Sequence, residues 1–252
     1  MHKNIGVIVC DDDPTLGEED GVGRMTIDLF KKHQNENWEY FKAVSGHLPD
    51  KSNLENYSGF ILTGSYWSVN DQHKWIEDLM EFIKLVFQFQ HYSYAAQKLF
   101  GICFGHQLIS KSLGANVIKN KNGKFILSQA DVQVLDDLRN KQYYRQVFHD
   151  KPYISLIQCH EEEVIDLPSN AVLLGTSKFC ENEIISYGDK ILTMQGHIDI
   201  SEDLLLGQYL PTLKNSGKLD NDDESFLFDS LNRKPNDCSK LVEMIRQFLN
   251  LD

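Results

Sequence analysis

Long apolar runs are missing from the chain. No window of the 252 residues approaches the roughly 18 consecutive apolar positions a membrane helix needs, and no basic N-terminal segment leads into an apolar one. Neither membrane spanning nor export is indicated, and a cytoplasmic location is expected. Positive charge is scarce: 25 Lys and Arg face 37 Asp and Glu, a formal net charge of −12. Wrapping a phosphate backbone requires clustered Lys and Arg to displace counterions, so no nucleic-acid partner is expected. The acidic excess serves solubility instead. Cysteine is sparse and scattered, at positions 10, 103, 159, 180 and 238. An odd number without a C-x-x-C pair argues against a zinc site, a redox pair or a disulfide framework. Strings for nucleotide chemistry, internal repeats and low-complexity linkers are also lacking, and neither a cofactor nor a metal is expected.

What is present is alternation of strand and helix patterns. "IGVIVC" (5–10) reads as a buried opening strand, and the acidic "DDDPTLGEED" after it as a loop. The spacing predicts a short amphipathic helix over 23–33, strands over 38–46 and 59–65, a helix over 72–91 and a fourth strand over 98–103. That order predicts an α/β protein with an open, mostly parallel, doubly wound sheet covered by helices. After Gly114 the texture changes to short strands punctuated by Pro, Gly and Asn, with Asn122-Gly123 signalling a hairpin, so additional antiparallel strands are expected. Two helical patterns, 202–214 and 238–250, flank a polar acidic stretch. Residues 1–215 are expected to form the main domain, with 216–252 a C-terminal helical tail packed on it.

One thiol stands out. In "LFGICFGHQ", Cys103 lies at a strand-to-helix junction between Gly101 and Gly105, the G-x-C-x-G pattern of a nucleophile elbow. The glycines let the two backbones approach, the side chain is pushed out at the carboxyl edge of the sheet, and a helix N-terminus favours thiolate over thiol. The competing reading is a buried cysteine between packing glycines. A cysteine nucleophile needs a base and an orienting group. His197, after a short strand and a glycine, with Asp199 two residues on, fits both roles, although H-x-D alone is a weak pattern. His106 is too near Cys103 in sequence and is expected to pack at the helix start. His160 in "QCHEEEV" is either a polar group at the rim of the site or a satisfied surface histidine. The glutamates beside it read as solvated charge. Acyl transfer also needs oxyanion donors, for which the N–H groups of Phe104 and of Gly64 in "TGSYW" are available.

Taken together, "GICFGHQ", the glycine loop at 63–65 and "QGH" at 195–197 resemble the class I glutamine amidotransferases. Within that superfamily the chain is most similar to the stand-alone proteins that include the plant γ-glutamyl peptidases, over roughly residues 5–210. The resemblance implies a flavodoxin-like α/β sheet and a small-molecule γ-glutamyl substrate. It implies that Cys103 attacks the γ-carboxamide carbon to form a thioester, and that His197 shuttles the proton with Asp199 as triad carboxylate. Gly64 and Phe104 would supply the oxyanion donors, Gln107 would hold the glutamyl moiety, and Ser65 and His160 would be further substrate-binding positions. The family usually writes H-P-E where this chain has His197-Ile198-Asp199. The missing proline frees one φ angle, and aspartate is shorter than glutamate by one methylene, about 1.5 Å. Three functions follow as alternatives: a cysteine-dependent hydrolase of γ-glutamyl peptides such as glutathione or its conjugates, a glutaminase subunit delivering ammonia to a separate synthetase partner, or a catalytically weakened binding protein.

Overall fold

The computed structural model describes residues 4–92, 97–121 and 123–251. Its first half alternates strand and helix: β1 (Asn4–Val9), α1 (Glu18–Phe30), β2 (Trp38–Lys42), β3 (Tyr57–Leu62), α2 (Lys74–Tyr92), β4 (Lys98–Ile102) and α3 (Phe104–Ser112). The second half is richer in strand: β5 (Asn116–Lys119), β6 (Ile126–Val134), α4 (Asp136–Arg139), α5 (Gln142–Phe148), β7 (Tyr153–His160), β8 (Glu162–Ile165), β9 (Ala171–Ser177), β10 (Ile184–Tyr187) and β11 (Ile191–Met194). The chain ends in α6 (Glu202–Leu204), a π-helical turn (Leu205–Tyr209), α7 (Leu210–Asn215), α8 (Asn221–Leu231) and α9 (Cys238–Phe248).

One nine-stranded sheet runs β2-β1-β3-β4-β11-β10-β9-β6-β7, and β5 pairs β8 in a separate antiparallel ribbon. Neighbours from β2 through β11 are parallel, and the remaining pairs are antiparallel. Period-2 alternation sends successive residues of the parallel strands to opposite faces. Phe60 and Leu62 accordingly pack under α2 and α3, whereas Ile61 and Phe100 pack with Leu241, Ile245 and Phe248 of α9. The last strand of the sheet in sequence, β11, returns to its middle beside β4, with Met194 opposite Ile102. Segments some 90 residues apart thereby leave the carboxyl edge side by side, since Cys103 N–H donates to Met194 O at 2.9 Å.

Several local expectations are corrected. α1 begins at Glu18, not at 23, because the Asp13 side chain caps the turn before it and three acids fill its first turn, where the helix dipole favours them. The third strand is Tyr57–Leu62, ending before Gly64. Asn122 lies outside the described residues, and the strands on either side of it do not form a hairpin: β5 pairs β8, while β6 joins the main sheet between β9 and β7. The polar acidic stretch near 220 forms helix α8 through a capping box in which Asp220 and Asp223 satisfy each other's backbone N–H groups. Among the described residues no helix is long and apolar enough to cross a membrane.

Candidate active site

The elbow at Cys103 is a steric consequence of two glycines. A Cβ on Gly101 would fall 2.6 Å from the Gly105 carbonyl carbon, and one on Gly105 would fall 2.6 Å from Leu62 O. Between them Cys103 takes φ +48°, a conformation that costs a non-glycine residue on the order of 1–3 kcal/mol and is sustained by its surroundings. Those surroundings are hydrogen-bonded: Gly105 N–H donates to Thr63 O at 3.2 Å, fastening α3 to the loop after β3. The thiol, 6% exposed, faces the Cys159 carbonyl at 3.8 Å and receives Gln195 Nε2–H at 3.5 Å.

β11 delivers the imidazole. His197 N–H donates to Ile157 O at 2.7 Å, and its Nδ1–H donates to Asp199 Oδ1 at 2.9 Å. Aspartate therefore reaches the ring without the extra methylene of glutamate. That bond leaves Nε2 as the ring nitrogen that interacts with the Cys103 sulfur, and it is buried. Burial works against a charge on the ring, but the Cys103 sulfur and the Asp199 carboxylate together hold its pKa well above the usual histidine value. Gly64 packs against both partners: a Cβ there would lie 3.1 Å from His197 Cε1 and 3.7 Å from Cys103 Cβ. The loops bearing Gly64, Cys103 and His197 thus converge on one point. Phe104 is the first residue of α3, where the helix offers its N–H no carbonyl acceptor.

The remaining predicted positions divide. Ser65 lines the same cavity, with its hydroxyl accepting from Trp67 N–H at 3.1 Å. Gln107 lines it as well and spends its amide nitrogen on Glu162 O (2.9 Å) and Gln195 Oε1 (3.1 Å). His160 is not a surface histidine: it is buried, and its ring spans Gln158 Oε1 and Glu162 O, each at 3.1 Å. Burial pushes its pKa down to about 4. His106, on α3, is buried against β11 with Nδ1 on Thr193 Oγ1 at 2.8 Å.

Sequence reasoning missed Gln195, which touches the sulfur, and Glu183, whose carboxyl accepts from the Gly196 N–H just before the histidine. A glutamate directly ahead of the apolar run "IISY" was the available signal. It also missed Asp11, buried at the cavity wall, where burial holds its carboxyl up to about 7. The cavity measures about 680 Å³ and extends from Cys103 past Asp11 and α1 to Tyr209 and Leu213.

Comparisons with known proteins bear on the family and the fold. The family model for class I glutamine amidotransferases matches residues 32–202. γ-Glutamyl peptidase 3 of Arabidopsis thaliana is 28% identical over 196 residues, covering 78% of this chain and 76% of that protein. γ-Glutamyl peptidase 2 of the same plant is 32% identical over 173 residues, 69% of this chain and 66% of its own length, so about a third of that relative lies outside the match. Among solved structures, a glutamine amidotransferase from Thermotoga maritima superposes with a TM-score of 0.75 at 22% identity, over 99% of both chains, which speaks for the fold. With the family model spanning more than half of its residues, the chain belongs to the class I glutamine amidotransferase family.

Proposed function

We propose that the protein hydrolyses γ-glutamyl amide bonds, with peptides such as glutathione or its conjugates as substrates. The observation that carries this reading is the buried His197 ring, aimed by the Asp199 bond at the sulfur of Cys103 on its strained elbow. In this reading His197 Nε2 already holds the proton of the thiol, and the Cys103 sulfur attacks the γ-carboxamide carbon as thiolate. The oxyanion forms against the Gly64 and Phe104 N–H groups. Collapse of the tetrahedral intermediate breaks the C–N bond, Nε2–H protonates the departing amine, and a γ-glutamyl thioester remains on Cys103. Water, deprotonated by the same nitrogen, hydrolyses it to glutamate and free thiol. The order of events requires one imidazole that both accepts and donates at Nε2, which the Asp199 bond to Nδ1 secures.

The size of the cavity favours a peptide over free glutamine. At about 680 Å³ it falls in the range that encloses a drug-sized ligand, about 300–1,000 Å³, well beyond a glutamyl group with ammonia as leaving group. Relatives named γ-glutamyl peptidase support the same choice. Purified protein incubated separately with glutathione, a glutathione S-conjugate and glutamine decides it. Glutamate release from the tripeptides, absent in Cys103→Ala, is the expected result. Ammonia release from glutamine alone, rising on addition of a synthetase, would assign a glutaminase subunit. No release from any of them would leave a binding protein.

A further inference from the structure

Behind the histidine loop sits a carboxylate that the reaction does not consume. Glu183 precedes β10 and is 0% exposed. Its Oε1 accepts from Gly196 N–H at 3.0 Å and from Gln158 Nε2 at 2.8 Å, and its Oε2 accepts from Ser177 Oγ at 2.9 Å. Its own main-chain carbonyl accepts from Gln195 N–H at 2.8 Å. Both residues before His197 are therefore fastened to Glu183. From Gln158 the bonds continue through the His160 ring to Glu162 O, from there to Gln107 Nε2, on to Gln195 Oε1, and back along the backbone to Gly196. Gln195 Nε2 touches the sulfur on the way. We propose that Glu183 is the positioning residue of this site, closing a buried ring that holds the nucleophile, the imidazole loop and the Gln107–His160 wall in one arrangement.

Counting protons around the ring supports this. Both ring nitrogens of His160 face acceptors, Gln158 Oε1 and Glu162 O, yet burial keeps the ring neutral down to about pH 4, and a neutral imidazole has one N–H. The ring is satisfied only if the Gln158 amide turns over, donating to His160 Nε2 and presenting its oxygen to Glu183. Glu183 must then carry a proton on Oε1, which it donates to the turned Gln158 oxygen, and burial holds its carboxyl up to about 7 against the pull of Ser177 and Gly196. A protonated Oε1 still accepts from Gly196 N–H, so no member of the ring is orphaned. The other titratable groups close enough to feel these charges are His197 and Cys180 near Glu183, and His106 and His197 near His160.

The test uses the full chain with Glu183→Ala, Glu183→Asp and Glu183→Gln. Three readouts are taken: kcat and KM on glutathione and glutamine, the rate of Cys103 alkylation by iodoacetamide at pH 7, and thermal unfolding. Alkylation needs no substrate, so it stands even if the proposed hydrolysis fails, whereas the kcat arm rests on that reading. Removing the carboxyl frees Gly196 and the histidine behind it; a misplacement near 1 Å predicts a loss in kcat of about 10²-fold with KM within about threefold. Alkylation should slow about tenfold, because the imidazole no longer assists ionisation of the thiol. Glu183→Gln keeps the acceptor for Gly196 but cannot also pass a proton to Gln158, so it should retain kcat within about tenfold and rescue the alkylation rate. Should Glu183→Ala fail to fold, Glu183→Asp, whose carboxyl is withdrawn from Gly196 by one methylene, should fall between the other two. A folded Ala or Asp variant with kcat and alkylation within about twofold of the parent overturns the proposal. So does a kcat loss that merely tracks the unfolded fraction, or one with unchanged alkylation. Wild-type protein inactive on every substrate, with alkylation still slowed by Glu183→Ala, would sink the hydrolase and spare the positioning role.

Discussion

Gly64→Ala isolates the geometry of the site in one methyl group. The added Cβ would stand 3.1 Å from His197 Cε1 and 3.7 Å from Cys103 Cβ. Relaxing the first contact to between 3.4 and 4.0 Å moves the ring by 0.3–0.9 Å, and the ring is not free to move, because Nδ1 is tied to Asp199 at 2.9 Å. If a misplacement of about 1 Å costs about 10²-fold, and the logarithm of the loss scales with distance, the displacement predicts a fall in kcat of about 4- to 60-fold, or ~0.8–2.4 kcal/mol of barrier. Gly64 keeps its N–H in the variant, and its φ lies outside the left-handed range, so neither the oxyanion donor nor the backbone is lost. The assay is glutamate release under saturating substrate, paired with thermal unfolding and with Gly207→Ala as control, since a Cβ at Gly207 meets nothing within 4 Å. A Gly64→Ala enzyme with full kcat would refute the placement of Gly64 against the imidazole.

Further outcomes follow from the same contacts. Cys103→Ala should abolish glutamate release and leave the fold intact, as judged by circular dichroism. Asp199→Asn should lower kcat by as much as about 10⁴-fold through the wrong imidazole tautomer. Asp199→Glu should also lower kcat, because the 2.9 Å bond leaves no gap for another methylene. Gly105→Ala, whose Cβ would meet Leu62 O at 2.6 Å, should lose about 3 kcal/mol or more in a denaturant melt. Glu183 keeps its proton to about pH 7 in the folded chain but loses it near 4.5 when unfolded, so its contribution is fully present below 4.5 and is lost as pH rises through 7. The stability of Glu183→Gln minus that of the parent should accordingly climb by about 3 kcal/mol between pH 4.5 and 7 in urea titrations, and a flat difference would contradict a buried neutral carboxyl. Truncation after residue 215 should leave a chain without a cooperative thermal transition.

The features legible in the sequence were those dictated by short-range sterics. G-x-C-x-G announces an elbow because each glycine replaces a collision that can be foreseen from strand and helix geometry alone. The apolar runs of β1, β3 and β4 are legible for a related reason, since strands buried on both faces leave little room for polar residues. The helix over 74–92 announced itself by its period. The hairpin expected at Asn122-Gly123 failed where the outcome depends on long-range pairing: β5 finds β8 some 45 residues later, and no turn signal encodes that preference. The sequence leaves His160 between rim and surface because its environment is assembled from Gln158, two residues before it, and from Glu162, two residues after. Glu183 carries only the weak signal of a glutamate directly ahead of an apolar run, for the same reason. Its partners Gln158, Ser177 and Gly196 come from three different strands or their ends, and only the order of the sheet places them around one carboxyl.

The residues beyond the family match are part of what holds the site. Leu241, Met244, Ile245, Phe248 and Leu249 are buried against the face of the sheet opposite α2 and α3. At about 1.5–3 kcal/mol for each fully buried side chain, these five alone supply about 7.5–15 kcal/mol of gross burial, comparable to the whole net stability of about 5–15 kcal/mol of a typical domain. Arg246, 0% exposed, binds Glu36 through both terminal guanidinium nitrogens and so ties α9 to the segment before β2. At the other end of α9, Asp237 takes Ser155 N–H and Lys151 Nζ, and the Cys238 thiol faces His197 O at 3.6 Å. The strand that fixes the histidine loop, β7, which accepts His197 N–H through Ile157, is thus held from behind by the tail. The placement of His197 beside Cys103 thus depends on contacts made by α9, some forty residues further along the chain.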